Sequence, residues 1–133
     1  MLVLEPTYKP TWDLPGGVVE ADESPRRGVQ REVREEIGLD VEPGRLIAVD
    51  WKGRDGAFTE VIALLFDGGL LASADVDRIV ADASEVRSHR FVTLGEAERL
   101  LDAELFARVV AGLQARRSGA TAYLENGLPP VRP

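Results

Sequence analysis

Apolar and polar positions along this chain change period several times, and each change marks an element. Leu2, Val3 and Leu4 are apolar and stop at Glu5-Pro6, which predicts the end of a strand. The stretch from Pro6 to Pro15 is proline-rich and is expected to be extended or looped, leading into Gly16-Gly17. Val18-Val19 is a short strand candidate. Ser24 is a good N-cap, Pro25 a good first helical residue and Gly38 a left-handed stop, so a helix is predicted from Pro25 to Ile37. Beyond it the pattern turns to β. Arg45 to Asp50, Thr59 to Phe66 and Val86 to Val92 read as strands of one sheet, split by glycine-containing turns such as Lys52 to Gly56. Thr93 with Glu96 forms a capping-box signature. Leu100, Leu101, Leu105, Val109 and Leu113 give helical spacing from Leu94 to Arg117, with a break near Asp102, which can cap a second piece. The tail from Ser118 to Pro133 is read either as a short hairpin at Asn126-Gly127 or as loosely ordered chain. Repeats, low-complexity segments and linkers are absent from the sequence, so one α/β domain over residues 1–133 is expected.

Composition narrows the chemistry. The longest apolar run, Val61 to Phe66, is six residues, against about 20 for a membrane-spanning helix. No secretory leader is read at Met1, so a cytoplasmic location is expected. With no Cys there is no thiolate nucleophile, zinc-thiolate site or iron–sulfur cluster. With one His, His89, any metal must be held by oxygen, which points to Mg²⁺ or Mn²⁺. The net charge of −7 argues against a nucleic-acid polymer as partner. A phosphorylated small molecule would need a divalent cation to bridge it to such a protein.

The Pro25–Ile37 helix concentrates the candidate chemistry. At about 100° per residue, Glu35 and Glu36 flank Glu32, so three carboxylates share one sector. Val29, Val33 and Ile37 fall in the adjoining sector, which places the acids at the rim of a core-facing stripe. Acidic helix faces are commonly just solvated surface. Here, though, like charges stand at i,i+4 and two of them lie near the helix C-terminus, where the dipole disfavours them. A bound cation reverses that penalty.

These residues carry a family resemblance. Gly17, Glu23, Arg31-Glu32-Val33, Glu35-Glu36 and Gly38-Leu39 resemble the signature of the Nudix hydrolases, with all nine defining positions filled across 23 residues. The preceding Trp12-Asp-Leu-Pro-Gly16 is similar to the family's approach to this box. The resemblance implies an α/β/α sandwich around a mixed β-sheet. It also implies water attack on phosphorus in a nucleoside diphosphate linked to another moiety X, with Mg²⁺ or Mn²⁺. Carried over by position, Glu32, Glu35 and Glu36 would be metal ligands, one of them a candidate general base, and the Gly16 carbonyl a further ligand. Gly17, Glu23, Arg31 and Gly38 would support the site, with Glu23 and Arg31 paired. Only 16 residues precede Gly17, fewer than in the family at large, so the usual first N-terminal strand is expected to be missing. Either the start is truncated or a neighbouring subunit fills the gap, and a homodimer covering that sheet edge is expected.

Outside the box, Glu85 precedes a strand where the family often places an extra catalytic carboxylate, with Asp82 a weaker substitute. Tyr8 and Trp12 are candidates to stack on a nucleobase, and Lys9, Lys52 and Arg54 to meet phosphates, although packing and solvated surface are the ordinary roles of such residues. His89, mid-strand, is read as structural. The loops from Trp51 to Ala57 and Leu70 to Glu85 would choose the substrate. The alternative function is a catalytically silent nucleotide or ADP-ribose sensor of the same fold. Isopentenyl diphosphate isomerase chemistry, also found on this fold, needs a cysteine that is absent.

Overall fold

Local signals decide where the helices start and stop. In the computed structural model, which describes residues 1–54 and 59–131, α1 runs Pro25–Ile37. The Ser24 hydroxyl accepts from Arg27 N, and Gly38 closes the helix at φ 71° with its N–H on the Arg34 carbonyl. The expected break at Asp102 is real. Helix α3 (Leu94–Leu100) begins with the Thr93/Glu96 capping box, and the Asp102 carboxylate accepts from Leu105 N to start α4 (Ala103–Ser118). Between α1 and α3, helix α2 is a single turn, Ser73–Val76, for which the apolar pattern gave no sign.

The strands are β1 (Leu2–Pro6), β2 (Leu46–Lys52), β3 (Val61–Phe66), β4 (Val86–Phe91) and β5 (Ala122–Glu125). Three sequence readings need correction. The three predicted strands do not share one sheet: β4 pairs with β1, which takes up its hydrogen-bonding edge, while β2 pairs with β3 and β5 in another sheet. Val18-Val19 forms no strand: both side chains are exposed, and the Val18 carbonyl is taken by Arg31. The tail is neither a plain hairpin nor loose, because β5 pairs in parallel with β2, Ala48 opposite Ala122 through Trp51 opposite Glu125. The Asn126-Gly127 turn does follow it, closing a Glu125–Leu128 bridge. Of the loop from Trp51 to Ala57, residues 55 to 57 lie outside the described residues.

The chain packs as two compact units. The first takes Met1–Pro43 and Gly68–Leu101. In it β1 lies antiparallel to β4, Leu4 opposite His89, and Leu4 also bridges Asp13 on its other edge. Val33 and Ile37 of α1 pack with Leu4, Leu39 and Val86 in its core, the burial that the helical stripe required. The second takes Gly44–Asp67 and Asp102–Pro133. Its sheet is mixed, in the order β3-β2-β5, with β2 antiparallel to β3 and parallel to β5. Gly112 lets α4 approach this sheet: a Cβ there would lie 2.8 Å from Leu65 Cδ2. A buried ion pair crosses the unit, Arg108 Nε and its terminal amino group donating to Asp50 Oδ2 at 2.8 and 2.6 Å, while Asp50 Oδ1 accepts from Gly127 N. Among the described residues no helix is long and apolar enough to cross a membrane.

Candidate active site

The box folds as a loop clamped to α1 by one arginine. Arg31 Nε and a terminal amino group each donate to Glu23, both at 3.0 Å, and the same amino group reaches the Val18 carbonyl at 3.0 Å. The other amino group is shared by Glu32 Oε1 at 2.9 Å and Glu35 Oε2 at 3.0 Å. Glu23 also accepts from Glu20 N, and these bonds hold its carboxyl below the usual range, Arg31 being the larger cause. The expected Glu23–Arg31 pair is therefore present, and it ties residues 18–23 to the second turn of the helix.

Glycines fit the loop against the carboxylates. Gly16, at φ 142°, donates its N–H to Glu36 Oε2 at 2.8 Å. Gly17 faces the Glu32 carboxyl group so closely that a side chain there would occupy the same space.

The three box acids differ in exposure. Glu32 and Glu36 are both largely withdrawn from solvent, whereas Glu35 is exposed. Burial pushes the Glu36 carboxyl up to about 7, against the lowering effect of the Gly16 N–H, and the negative charges of Glu32, Asp13 and Glu85 push it further the same way. The same geometry brings Glu85 in. Asp82 N donates to the Glu36 carbonyl and Val80 N to the Ile37 carbonyl, while Thr7 N donates to the Glu85 carbonyl. The segment before β4 is thereby fastened between the end of α1 and the end of β1. Asp82 is spent on a local turn, accepting from Ser84 N and Oγ.

The other candidates separate. The Tyr8 hydroxyl has its pKa raised by burial and then by Asp13, with Glu36 and Glu85 adding to it and Lys9 opposing, so it stands among those groups. Lys9 pairs with Asp13 at 2.6 Å. Trp12 carries the Arg90 guanidinium 5.8 Å from its ring centroid, a cation–π contact. Lys52 and Arg54 belong to the second unit, where Lys52 pairs with Glu104 at 2.9 Å and Arg54 is exposed. His89 sits half-buried in β4. Sequence reasoning passed over Asp13, whose charge acts on Glu36 although 23 residues separate them; nothing local announces it.

Whether this donor set suits a hard cation can be judged from its lone pairs. Among the described residues, Glu32 Oε2, Glu35 Oε1 and Glu36 Oε1 accept no hydrogen bond, whereas both oxygens of Glu23 are used. No three acidic side chains among the described residues already form a closed cage. The set is an all-oxygen one with surplus negative charge at Glu36, which fits Mg²⁺ or Mn²⁺. A cleft of about 590 Å³ along α1, lined by Arg27, Gln30, Arg34 and Val41, shares Arg31 and Glu35 with this site but not Glu32 or Glu36.

A family model described as NUDIX domain matches residues 1–112. A MutT-like protein of Streptomyces ambofaciens is 48% identical over 56 residues, 42% of this chain and 34% of that protein, so the chain spans about a third of this curated relative. The crystal structure of a MutT protein from Methanosarcina mazei Go1 is similar at 30% identity with a TM-score of 0.66, covering 89% of this chain and 83% of that one. An ADP-ribose pyrophosphatase from Streptococcus suis is similar at 26% identity and the same TM-score, covering 93% of this chain and 87% of that one.

Proposed function

The chain belongs to the NUDIX domain family, and we propose that it acts as a single metal-dependent hydrolase domain cleaving a nucleoside diphosphate linked to another moiety. The observation that carries the reading is the box itself: three carboxylates on one helix, each with an unused oxygen, behind a loop locked by Arg31. The pyrophosphatase name of the Streptococcus suis structure supports the same bond class. Glu32, Glu35, Glu36 and the Gly16 carbonyl would hold Mg²⁺ or Mn²⁺. The chemistry supplied there is neutralisation of the diphosphate and acidification of water. Arg31 and Glu23 keep the carboxylates in register from behind. Water oxygen bonds to one phosphorus as the P–O bond to the bridging oxygen breaks. The proton goes to Glu85 or to a box carboxylate, and the products are a nucleoside monophosphate and phosphorylated X. Tyr8, Lys9 and Trp12 are the substrate contacts of this reading, with Lys52 and Arg54 as further phosphate candidates. A homodimer belongs to it too, supported by the edge position of β3 with exposed Val61 and Ile62. A cytoplasmic setting is part of the same reading.

The test is product release from a panel that includes ADP-ribose and other nucleoside diphosphate derivatives, with Mg²⁺, with Mn²⁺ and with chelator. Metal-dependent cleavage of a panel member is the expected result. Silence across the panel with retained nucleotide binding refutes the hydrolase and favours a sensor.

A further inference from the structure

Lys9 and Asp13 form a close pair of opposite charges in a stretch that is not helical, Nζ to Oδ2 2.6 Å. Their side chains are only 31% and 33% exposed. A lysine head group usually stays in water, so this one is held.

The holder is Asp13. Its backbone exchanges two hydrogen bonds with Leu4 of β1, N to O and O to N, both 2.9 Å, and its Oδ1 accepts from Leu14 N at 3.1 Å. That leaves Oδ2 fixed to the frame of the first unit and directed at Lys9. Three residues of chain, at most about 11 Å, separate Asp13 from Gly16, whose N–H binds Glu36. On the other side of Lys9, Thr7 N donates to the Glu85 carbonyl at 2.9 Å, so the segment that carries Lys9 and Asp13 is fastened at one end to Glu85 and at the other to Glu36. The ammonium therefore stands with the acids without pairing to any box carboxylate.

Arg31 and Lys9 differ in the donors they have left. Arg31 spends its guanidinium on Glu23, Glu32, Glu35 and the Val18 carbonyl. Lys9 has three N–H donors and one partner among the described residues. A diphosphate approaching three carboxylates meets like charge, and a positioned ammonium is what the protein itself can set against it.

We propose that Asp13 is a positioning residue that holds the Lys9 ammonium at the rim of the carboxylate cluster, where Lys9 donates to a non-bridging phosphate oxygen of the substrate. The proposal rests on the hydrolase reading. Holding Lys9 in place before substrate arrives spares the ordering of a long side chain on binding. The contact is made in the bound substrate and persists through the reaction, so it acts on KM more than on kcat.

The experiment is steady-state kinetics on the best panel substrate with Mg²⁺, using Lys9→Ala, Lys9→Arg, Asp13→Asn and the double variant Lys9→Ala/Asp13→Asn, with thermal melts to confirm folding. Lys9→Ala is expected to raise KM about tenfold, the scale of one charged hydrogen bond, with kcat within about threefold. Lys9→Arg should restore most of the lost affinity. Asp13→Asn should move KM in the same direction, and the double variant should be no worse than Lys9→Ala, because one contact is lost only once. Effects that multiply in full, or a fall in kcat at unchanged KM, overturn the assignment. An active wild type whose Lys9→Ala form keeps its KM overturns this proposal alone. A wild type with no turnover on the panel overturns the hydrolase reading and this proposal with it. Lys9→Ala lies at a partly exposed position, so it keeps the test decisive if Asp13→Asn fails to fold.

Discussion

A Cβ on residue 17 would lie 2.4 Å from Glu32 Cδ and 2.6 Å from each of its carboxyl oxygens, so Gly17 and Glu32 fit together only because one of them has no side chain. The conflict falls on the far end of a flexible side chain, which can swing away. Gly17→Ala should therefore leave the melting temperature within a few degrees of wild type and displace the Glu32 carboxylate. Misplaced ligands and their supports typically cost 10–100-fold. Turnover at limiting Mg²⁺ should fall by about that factor, and raising the metal concentration should recover part of it. A melting temperature that collapses, or turnover that does not change, would contradict this account of the glycine.

Glu35→Gln and Glu36→Gln each remove one like charge from the last turns of α1, where the helix dipole already disfavours anions. Each variant should fold as well as wild type or slightly better in chelator, and each should lose turnover by orders of magnitude. Melting curves without metal and rates with Mg²⁺ check the two halves separately. Full activity in both variants would refute the site.

Glu36 also predicts a pH dependence for the metal-free protein. Its folded value, about 7, lies above the ordinary 4.5, so the folded state binds the proton more tightly than the unfolded one. This group's stabilisation is complete below about pH 4.5 and is lost as pH rises through 7. The wild-type melting temperature in chelator, relative to that of Glu36→Gln, should drop between pH 5 and pH 8. A difference that stays flat or rises over that window would count against the burial of this carboxyl.

Asp50→Ala tests the second unit independently. It would leave Arg108, only 9% exposed, with a buried charge and no carboxylate, and would free Gly127 N. Removing one partner of a buried pair costs about 3–5 kcal/mol, a large share of a small domain's stability, read by chemical denaturation. An Asp50→Ala/Arg108→Met variant should recover much of the loss, because no charge is then stranded.

What could be read in advance was what the chain encodes locally. Ser24, Pro25 and Gly38 bound α1 within one stretch of sequence, and Asp102 marks its own helix start, so both ends of those elements were legible. Val18-Val19 misled because two β-branched residues look like a strand until a guanidinium 13 residues away takes the carbonyl. Strand β5 was hidden because Ala122 finds its partner at Ala48, and a four-residue segment carries no period strong enough to declare that. The box carboxylates stood out by spacing, whereas Asp13 takes its place through a bridge to Leu4 that no local pattern declares. Arg108 left a clue: it falls on the Leu105–Val109–Gly112 stripe of α4, a charge where the pattern called for an apolar residue.

The interleaving of the two units bears on the order in which the chain can fold. The first unit needs Met1–Pro43 and Gly68–Leu101, and the second needs Gly44–Asp67 and Asp102–Pro133, so neither is a continuous piece of sequence. During synthesis β2 emerges long before β5, its parallel neighbour, exists. Until then one edge of β2 is unpaired and Asp50 lacks both Arg108 and Gly127 N. Closing a loop of that length is slow compared with forming a helix. The nascent chain therefore carries an open strand and a carboxylate awaiting burial until α4, β5 and Gly127 have emerged, and that interval is when it is most exposed to mispairing.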